Sequence, residues 1–326
     1  VEHLEQVMRR AVALSRDVLG TTSPNPPVGA VILDETGQVV GEGATRPPGG
    51  PHAEVVALGQ AAGRGRTAVV TLEPCHHTGR TGPCSAALLA GGITKVVVAC
   101  AEPTAQAGGG VAALRAAGVE VVTGFLEPEV AAGPLVAWLH VQRTGRPFVT
   151  WKYAATLDGR SAAADGTSQW ITGPEARADV HVLRSQVDAI LVGVGTVLAD
   201  DPSLTTRPDP GHQPLRVVLD RHGRTPADAK VHDALITGAD LPEVLKDLHD
   251  RGVVSVLLEG GPTLAGAFLQ AGLVDRVVAY LAPALLGSGP AALNAAGIGT
   301  IDDAIRLHLI DVTRLGGDVR LTLGRD

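Results

Sequence analysis

Pro51-His52-Ala53-Glu54, read together with Leu72-Glu73-Pro74-Cys75 and Gly82-Pro83-Cys84, decides how the first half of this chain is organised. These three short runs supply one imidazole, two thiols and a carboxylate. Zinc prefers tetrahedral nitrogen and sulfur ligands, and a catalytic site keeps one of the four positions for water. His52, Cys75 and Cys84 offer three ligands and leave that position open. Glu54, two residues beyond His52 on the same first helical turn, can face a zinc-bound water without ligating the metal. A carboxylate there can take a proton from water and hand it to a leaving amine, first as general base and then as general acid. Gly79 and Gly82 allow the eight residues between the thiols to fold back on one metal. Cys100 ends an apolar strand and reads as a core residue. His76, His77 and Glu73 stay open as a fourth ligand, which would make the site structural.

Working outward, a first helix with apolar positions at helical spacing fills the opening twenty residues. Thr22 to Val28 breaks regular structure. Strands follow at Val28 to Leu33 and Gln38 to Gly43 around a turn at Asp34 to Gly37. Helices are expected at His52 to Ala62, Cys84 to Ala90 and Gly110 to Ala117, alternating with strands at Thr67 to Leu72, Lys95 to Cys100 and Glu120 to Thr123. A last helix, Glu129 to Arg143, leads to Thr144-Gly145-Arg146-Pro147, where a domain boundary is placed, giving domains 1–145 and 146–326. Beyond it, strands at Phe148 to Tyr153, Asp188 to Val192, Leu215 to Leu219, Val253 to Leu258 and Arg276 to Leu281 alternate with helices at Pro174 to Ser185, near Val197, at Leu241 to Asp250 and at Thr263 to Ala271. The tail, Leu307 to Leu323, predicts a closing antiparallel pair. Alternation of this kind means an α/β layered sheet in each half.

The 326 residues suffice for two domains with their own cores. No apolar run reaches the length of a membrane span, and the first helix is amphipathic and charged, unlike a signal peptide, so a cytoplasmic protein is expected. A net charge of −7, with 27 Lys and Arg spread over the chain, argues against a nucleic-acid footprint while leaving room for a local phosphate pocket. Three cysteines, an odd number, favour metal binding or burial over a disulfide framework.

His-x-Glu followed by Pro-Cys is the signature of zinc deaminases of nucleobases, which usually place two residues between the cysteines; eight stand here. The longer run Glu73-Pro-Cys-His-His-Thr-Gly-Arg-Thr-Gly-Pro-Cys84, with Pro24-Asn-Pro-Pro-Val-Gly29 and Pro51-His-Ala-Glu54, resembles the deaminase half of the bifunctional riboflavin-biosynthesis deaminase/reductase. The resemblance implies a cytidine-deaminase-like domain in which Asn25 and Arg80 contact the pyrimidine and its ribose phosphate. An amide can pair with a base edge and a guanidinium can hold phosphate through two bonds. Two positions depart from the pattern: Thr45 stands where some members carry His, and Glu102-Pro-Thr104 where Asp-Pro-Asn is common.

The second half lacks Gly-x-Gly-x-x-Gly and a P-loop. It carries glycines at two strand ends instead, in Leu191-Val-Gly-Val-Gly-Thr196 and Leu258-Glu-Gly-Gly-Pro-Thr263. Small residues there let backbone N–H groups and a helix start approach a pyrophosphate. Trp151 to Arg160, Ser168-Gln-Trp-Ile-Thr172, Gly195 to Thr205 and Glu259 to Ala265 resemble, in order, the reductase half of the same family, a dihydrofolate-reductase-like α/β domain that uses NADPH. That resemblance assigns Ala154, Trp170, Thr172, Thr196, Asp200 and the run Gly261, Pro262, Thr263, Leu264, Ala265, Gly266, Ala267 to NADPH, and Lys152, on the first strand of this domain, is either a contact to the cofactor or ribose or a strand-edge lysine. Ser168, Arg184, Leu204, Arg207 and Glu259 fall to the substrate.

The implied function is two steps on one pyrimidine ribotide: zinc-dependent hydrolytic deamination of 2,5-diamino-6-(ribosylamino)pyrimidin-4-one 5′-phosphate, then NADPH-dependent reduction of the ribosyl group to ribityl. A homodimer or homotetramer is expected, with no nucleic-acid or membrane partner. The competing classes are a nucleic-acid deaminase fused to a binding domain and a non-enzymatic zinc scaffold.

Overall fold

The computed structural model describes residues 2–78, 82–207 and 212–325, and the chain divides into two compact units between Gly145 and Arg146. In the first unit, α1 (Glu2–Arg16) buries Val7, Met8, Ala11, Val12 and Ser15 at helical spacing. After it come β1 (Gly29–Leu33), β2 (Val39–Ala44), α2 (Ala53–Ala61), β3 (Thr67–Leu72), α3 (Cys84–Ala90), β4 (Lys95–Cys100), α4 (Gly110–Ala116), β5 (Glu120–Val122), α5 (Glu127–Ala132) and α6 (Val136–Thr144). The five strands run in the order β2-β1-β3-β4-β5, with β1 antiparallel to both neighbours and β3, β4 and β5 mutually parallel.

Register shows how the layers stack. Residues directly opposite in an antiparallel pair share a face, and here Gly43 opposes Ala30 while Glu42 opposes Val31. Gly43 faces α2 so closely that a Cβ would sit 2.3 Å from the Ala53 carbonyl oxygen. Glu42 faces the other way and accepts Nε and Nη2 of Arg10 on α1, each at 2.7 Å. The two helices therefore cover opposite faces of the sheet, and β1, β3 and β4 between them are buried almost throughout.

The second unit holds β6 (Phe148–Thr156), α7 (Pro174–Ser185), β7 (Ala189–Gly193), α8 (Val194–Asp200), β8 (Leu215–Leu219), β9 (Leu235–Thr237), α9 (Leu241–Asp250), β10 (Ser255–Leu258), α10 (Pro262–Gln270), β11 (Arg276–Ala282), β12 (His308–Leu315) and β13 (Asp318–Gly324). Its eight strands are ordered β12-β13-β11-β6-β10-β7-β8-β9. From β11 to β9 all pairs are parallel, and β13 and β12 close one edge antiparallel. Period-two alternation sends Ala189, Leu191, Val256 and Leu258 into one core with Val244 and Leu248 of α9 and Phe268 of α10. Ile190, Val192 and Leu257 go to the other face with Val194 and Val197 of α8.

One expectation from the sequence needs correction. The stretch Glu129 to Arg143 is not one helix: α5 ends at Ala132, Gly133 leaves helical geometry at φ −90° and ψ −124°, and α6 restarts after Leu135. Pro134 follows that glycine, and proline has no N–H with which to continue a helix. β9 is a three-residue edge strand with Ile236 in the open, too short for a pattern of its own.

Candidate functional site

Local chain geometry brings the first constellation together. His52 caps α2 in extended conformation, which places its ring at the helix start and Glu54 in the first turn. Cys75 follows β3, and Cys84 opens α3. The Cys75 sulfur lies 3.6 Å and the Cys84 sulfur 3.3 Å from His52 Nδ1, and the three ligand atoms fall within 4.8 Å of one another. A tetrahedral zinc with bonds of about 2.3 Å to sulfur and about 2.0 Å to nitrogen sets those atoms about 3.5 Å apart. The donor set fits zinc in both chemistry and spacing. The Cys84 amide donates to the Cys75 sulfur at 3.4 Å. The hydrogen bond from the Cys84 thiol, with His52 close by, lowers the Cys75 thiol to about 4, the direction a zinc ligand needs.

Glu54 is buried at 4% exposure and burial pushes its carboxyl above the usual range. A group so placed takes a proton readily. The other ligand candidates are otherwise engaged or apart: His76 Nδ1 pairs with Ser85 Oγ at 2.9 Å, and Glu73 accepts the amides of Val111 at 2.9 Å and Glu102 at 3.2 Å. Among the described residues the metal-competent group has three members.

His52, Glu54 and Cys75 line a cavity of about 640 Å³ together with Asn25, Thr45, His77, Glu102, Thr104, Trp138 and Gln142. The backbone of Asn25 is fixed by two hydrogen bonds with Thr22. Both departures from the expected pattern belong to this wall. Thr45 is buried and its Oγ1 accepts the Val28 amide at 3.1 Å, while Glu102 accepts from the amide and hydroxyl of Thr104. Arg80 lies outside the described residues. Trp138 and Gln142 on α6 were not singled out in the sequence, since the helix carrying them gives no motif, only spacing.

In the second unit the carboxyl ends of the parallel strands gather the remaining residues. α8 starts directly after Gly193 and α10 after Gly261, so two helix starts meet at one edge of the sheet. A cavity of about 860 Å³ there is lined by Lys152, Ala154, Ser168, Thr196, Asp200, Glu259, Gly261, Pro262, Thr263, Leu264 and Ala267. Glu259 accepts Lys152 Nζ at 3.2 Å and Arg184 Nε and Nη2 at 2.7 and 3.1 Å. Burial alone would push its carboxyl up, but the two cations hold it at about 2.

Other assigned residues do not line this cavity. Ala265 and Gly266 face the core, and a Cβ on Gly266 would lie 1.9 Å from the Asn294 carbonyl oxygen. Leu204 is 2% exposed within the apolar cluster of Ile190 and Val192, which leaves its backbone as its polar group. Trp170 is 69% exposed with the Arg177 guanidinium 4.6 Å above its ring, and Arg177 also donates to the Thr172 carbonyl at 2.6 Å. Arg207 is exposed. Arg221, His222 and Arg224 line the cavity without having been singled out; a short basic run after a strand carries no signal until β9 shows where it points.

Comparison with known proteins matches both halves of the chain to families. Residues 1–100 match the cytidine and deoxycytidylate deaminase zinc-binding region, and residues 147–321 match the RibD C-terminal domain. The riboflavin biosynthesis protein RibD of Mycobacterium tuberculosis is 51% identical over 99% of this chain and 98% of its own length. The chain belongs to the RibD family. RibD of Escherichia coli is 40% identical over 98% of each chain. Among solved RibD structures, that of Acinetobacter baumannii has a TM-score of 0.91 at 39% identity, covering 100% of this chain and 99% of that one. A Thermotoga maritima diaminohydroxyphosphoribosylaminopyrimidine deaminase/5-amino-6-(5-phosphoribosylamino)uracil reductase has 0.92 at 33%, with the same coverage. As a RibD protein, the chain is a deaminase and reductase of riboflavin biosynthesis with zinc and NADPH as cofactors. Its units have the cytidine-deaminase-like and dihydrofolate-reductase-like architectures expected of that family.

Proposed function

We propose that residues 1–145 deaminate 2,5-diamino-6-(ribosylamino)pyrimidin-4-one 5′-phosphate and residues 146–326 reduce its ribosyl group. The observation that carries this reading is the His52, Cys75 and Cys84 cluster beside buried Glu54, in the same chain as a second cavity lined by Lys152 and by Glu259, which Arg184 pairs. His52, Cys75 and Cys84 would hold zinc, which when bound supplies the Lewis acidity that makes water nucleophilic at neutral pH. Glu54 takes the water proton on its carboxylate and delivers it to the departing amine nitrogen at C2. Asn25 pairs with the base edge, and Arg80 is assigned to the phosphate.

In the second unit, Ala154, Trp170, Thr172, Thr196, Asp200 and the turn and helix from Gly261 to Ala267 position NADPH, which when bound supplies the hydride for C1′. The helix starts behind Gly193 and Gly261 present amides to a pyrophosphate. Arg221 and Arg224 suit the cofactor's additional phosphate. Ser168, Arg184, Leu204, Arg207 and Glu259 hold the ribotide; Glu259 Oε1 accepts one bond where Oε2 accepts two, so Oε1 retains a lone pair for a ribose hydroxyl or the base, and Lys152 helps fix the carboxylate.

Zinc-loaded enzyme should release one ammonia per substrate and then oxidise one NADPH; failure of both at stoichiometric zinc removes the reading. The partner is a small molecule, in a cytoplasmic setting: net charge is −7 and no helix among the described residues is long and apolar enough to cross a membrane. Absence of a shift with tRNA or single-stranded DNA tests the first point. A homo-oligomer is supported by edge strand β12, which leaves Leu309, Ile310 and Val312 about half exposed or more; sedimentation at micromolar concentration tests it.

A further inference from the structure

In the second unit, the face that β6 and β11 turn toward α7 carries a line of polar side chains that neither the cofactor nor the substrate assignment uses. Lys152 stands opposite Val278, and Ala154 opposite Tyr280, in the parallel register of the two strands. Period-two alternation puts all four on one face. Val278 and Tyr280 pack there with Ala176, Val180 and Leu183 of α7, and Tyr280 is fully buried.

A ring that only filled space could be phenylalanine, whereas a buried phenol needs a partner for its hydroxyl. Tyr280 Oη donates to Asp179 Oδ2 at 2.6 Å. Asp179 also accepts Arg320 Nη1 on both oxygens at 2.9 Å, and Arg320 Nη2 donates to Thr313 Oγ1 at 3.0 Å and to Asp311 Oδ2 at 3.4 Å on β12. Burial raises the pKa of the Tyr280 phenol and the Asp179 carboxylate raises it further, so the hydroxyl keeps its proton and stays a donor. β13 reaches the start of the same helix as well, where buried Asp318 accepts the Gly173 amide at 2.6 Å. The closing hairpin therefore holds α7 at two points, and Arg184 lies in the last turn of that helix.

The other end of the line is the ring itself. Lys152 Nζ lies 6.0 Å from the Tyr280 ring centroid and 3.2 Å from Glu259 Oε2. An ammonium on a flexible four-carbon stem takes its direction from its surroundings, and a cation at about this distance over an aromatic face is drawn to it. Resting on the reductase assignment above, we propose that Tyr280 is a positioning residue of the reductase site: its hydroxyl, tied through Asp179 to Arg320, fixes the ring against which Lys152 bears and so keeps Lys152 on Glu259, where the ribotide binds. Tyr280 is not among the described residues that line the cavity. Its influence reaches the ribotide through Lys152 and leaves the cofactor wall of Thr196, Gly261 and Thr263 untouched.

The test is a double-mutant cycle in the full-length enzyme, read by NADPH oxidation on the already deaminated ribotide. Tyr280→Phe keeps the ring and removes the tie, and it buries no unpaired charge because Asp179 retains Arg320. It should raise the KM for the ribotide by about 10-fold, the scale of one hydrogen bond to a charged group, with the KM for NADPH within about 2-fold of wild type. In a Lys152→Met background the same change should add less than about 2-fold, since the side chain it positions is gone. Calorimetric binding of the ribotide replaces KM if Lys152→Met turns over too slowly. An unaltered ribotide KM in Tyr280→Phe, an equal rise for NADPH, or the full 10-fold effect persisting without Lys152 overturns the proposal and reduces the network to a fastening of β13 on α7. Wild-type enzyme that oxidises no NADPH with the deaminated ribotide would instead overturn the reductase assignment itself.

Discussion

Arg184 clasps Glu259 through two contacts, Nε to Oε1 at 2.7 Å and Nη2 to Oε2 at 3.1 Å. Lys152 reaches Oε2 from the neighbouring strand at 3.2 Å. Because the carboxylate side chain is only 7% exposed, its charge depends on these partners, and removing one of a buried pair typically costs about 3–5 kcal/mol. With its carboxyl held at about 2, below the unfolded value, Glu259 contributes stability that is fully present above pH 4.5 and is lost as pH falls toward 2. In Arg184→Met, burial should outweigh Lys152 and raise that carboxyl. The variant should therefore be most destabilised at pH 7, with the deficit shrinking on acidification to pH 5. Chemical unfolding midpoints at the two pH values check the sign.

Glu54→Gln should bind one zinc per chain and reduce the deaminated ribotide at the wild-type rate while ammonia release falls by about 10²-fold to 10⁴-fold, the usual contribution of a positioned acid–base group. Parallel ammonia and NADPH assays measure both outcomes. Undiminished ammonia release would exclude Glu54 as the proton carrier.

Removing zinc with a chelator, or replacing Cys84 by Ala, should abolish deamination and spare reduction. The cluster has three ligands among the described residues, so loss of one leaves two, too few for a tetrahedral site. Metal content by atomic absorption, read beside the two rates, separates metal loss from unfolding.

Arg224→Ala should raise the KM for NADPH by about 10-fold, the effect of losing one hydrogen bond to a charged group, and leave the KM for NADH within about 2-fold. Arg221 on the same wall is paired with Asp240, so Arg224 is the more informative change. Equal losses with both cofactors would place Arg224 elsewhere in the binding scheme.

Gly266→Ala should lower the thermal midpoint of the second unit, since the added methyl would stand 1.9 Å from the Asn294 carbonyl oxygen and such overpacking costs about 1–3 kcal/mol. Differential scanning calorimetry with and without NADPH distinguishes this packing loss from lost cofactor contact.

Much of the molecule could be read before any coordinates because its chemistry sits in short runs. His52 and Glu54 occupy one helical turn, and Glu259 directly follows the apolar run that forms β10, so both periodicity and motif point to the same places. What escaped lacks local signal. The break between α5 and α6 turns on Gly133 and Pro134 inside an otherwise helical pattern. β9 spans three residues and becomes a strand only because β8 pairs with it. Trp138, Gln142 and Arg224 reach their cavities through the packing of whole elements, which spacing along the chain does not encode. The partnership of Arg184 with Glu259 spans 75 positions, so no local pattern marks each as the other's counterion.

The Lys152, Glu259 and Arg184 group also changes how a ligand meets this protein. The chain as a whole is an anion of charge −7, yet this group sums to one positive charge, and Arg224 adds to it along the cavity wall, Arg221 being paired with Asp240. A phosphorylated ligand is thus repelled at long range and attracted at the mouth. Added salt shortens the reach of both fields, to about 10 Å at 0.1 M, and it erases the distant repulsion before the close attraction. Capture of ligand by the second unit should therefore quicken with the first additions of salt and slow with later ones, a rate maximum that neither the net charge nor the pocket would produce alone.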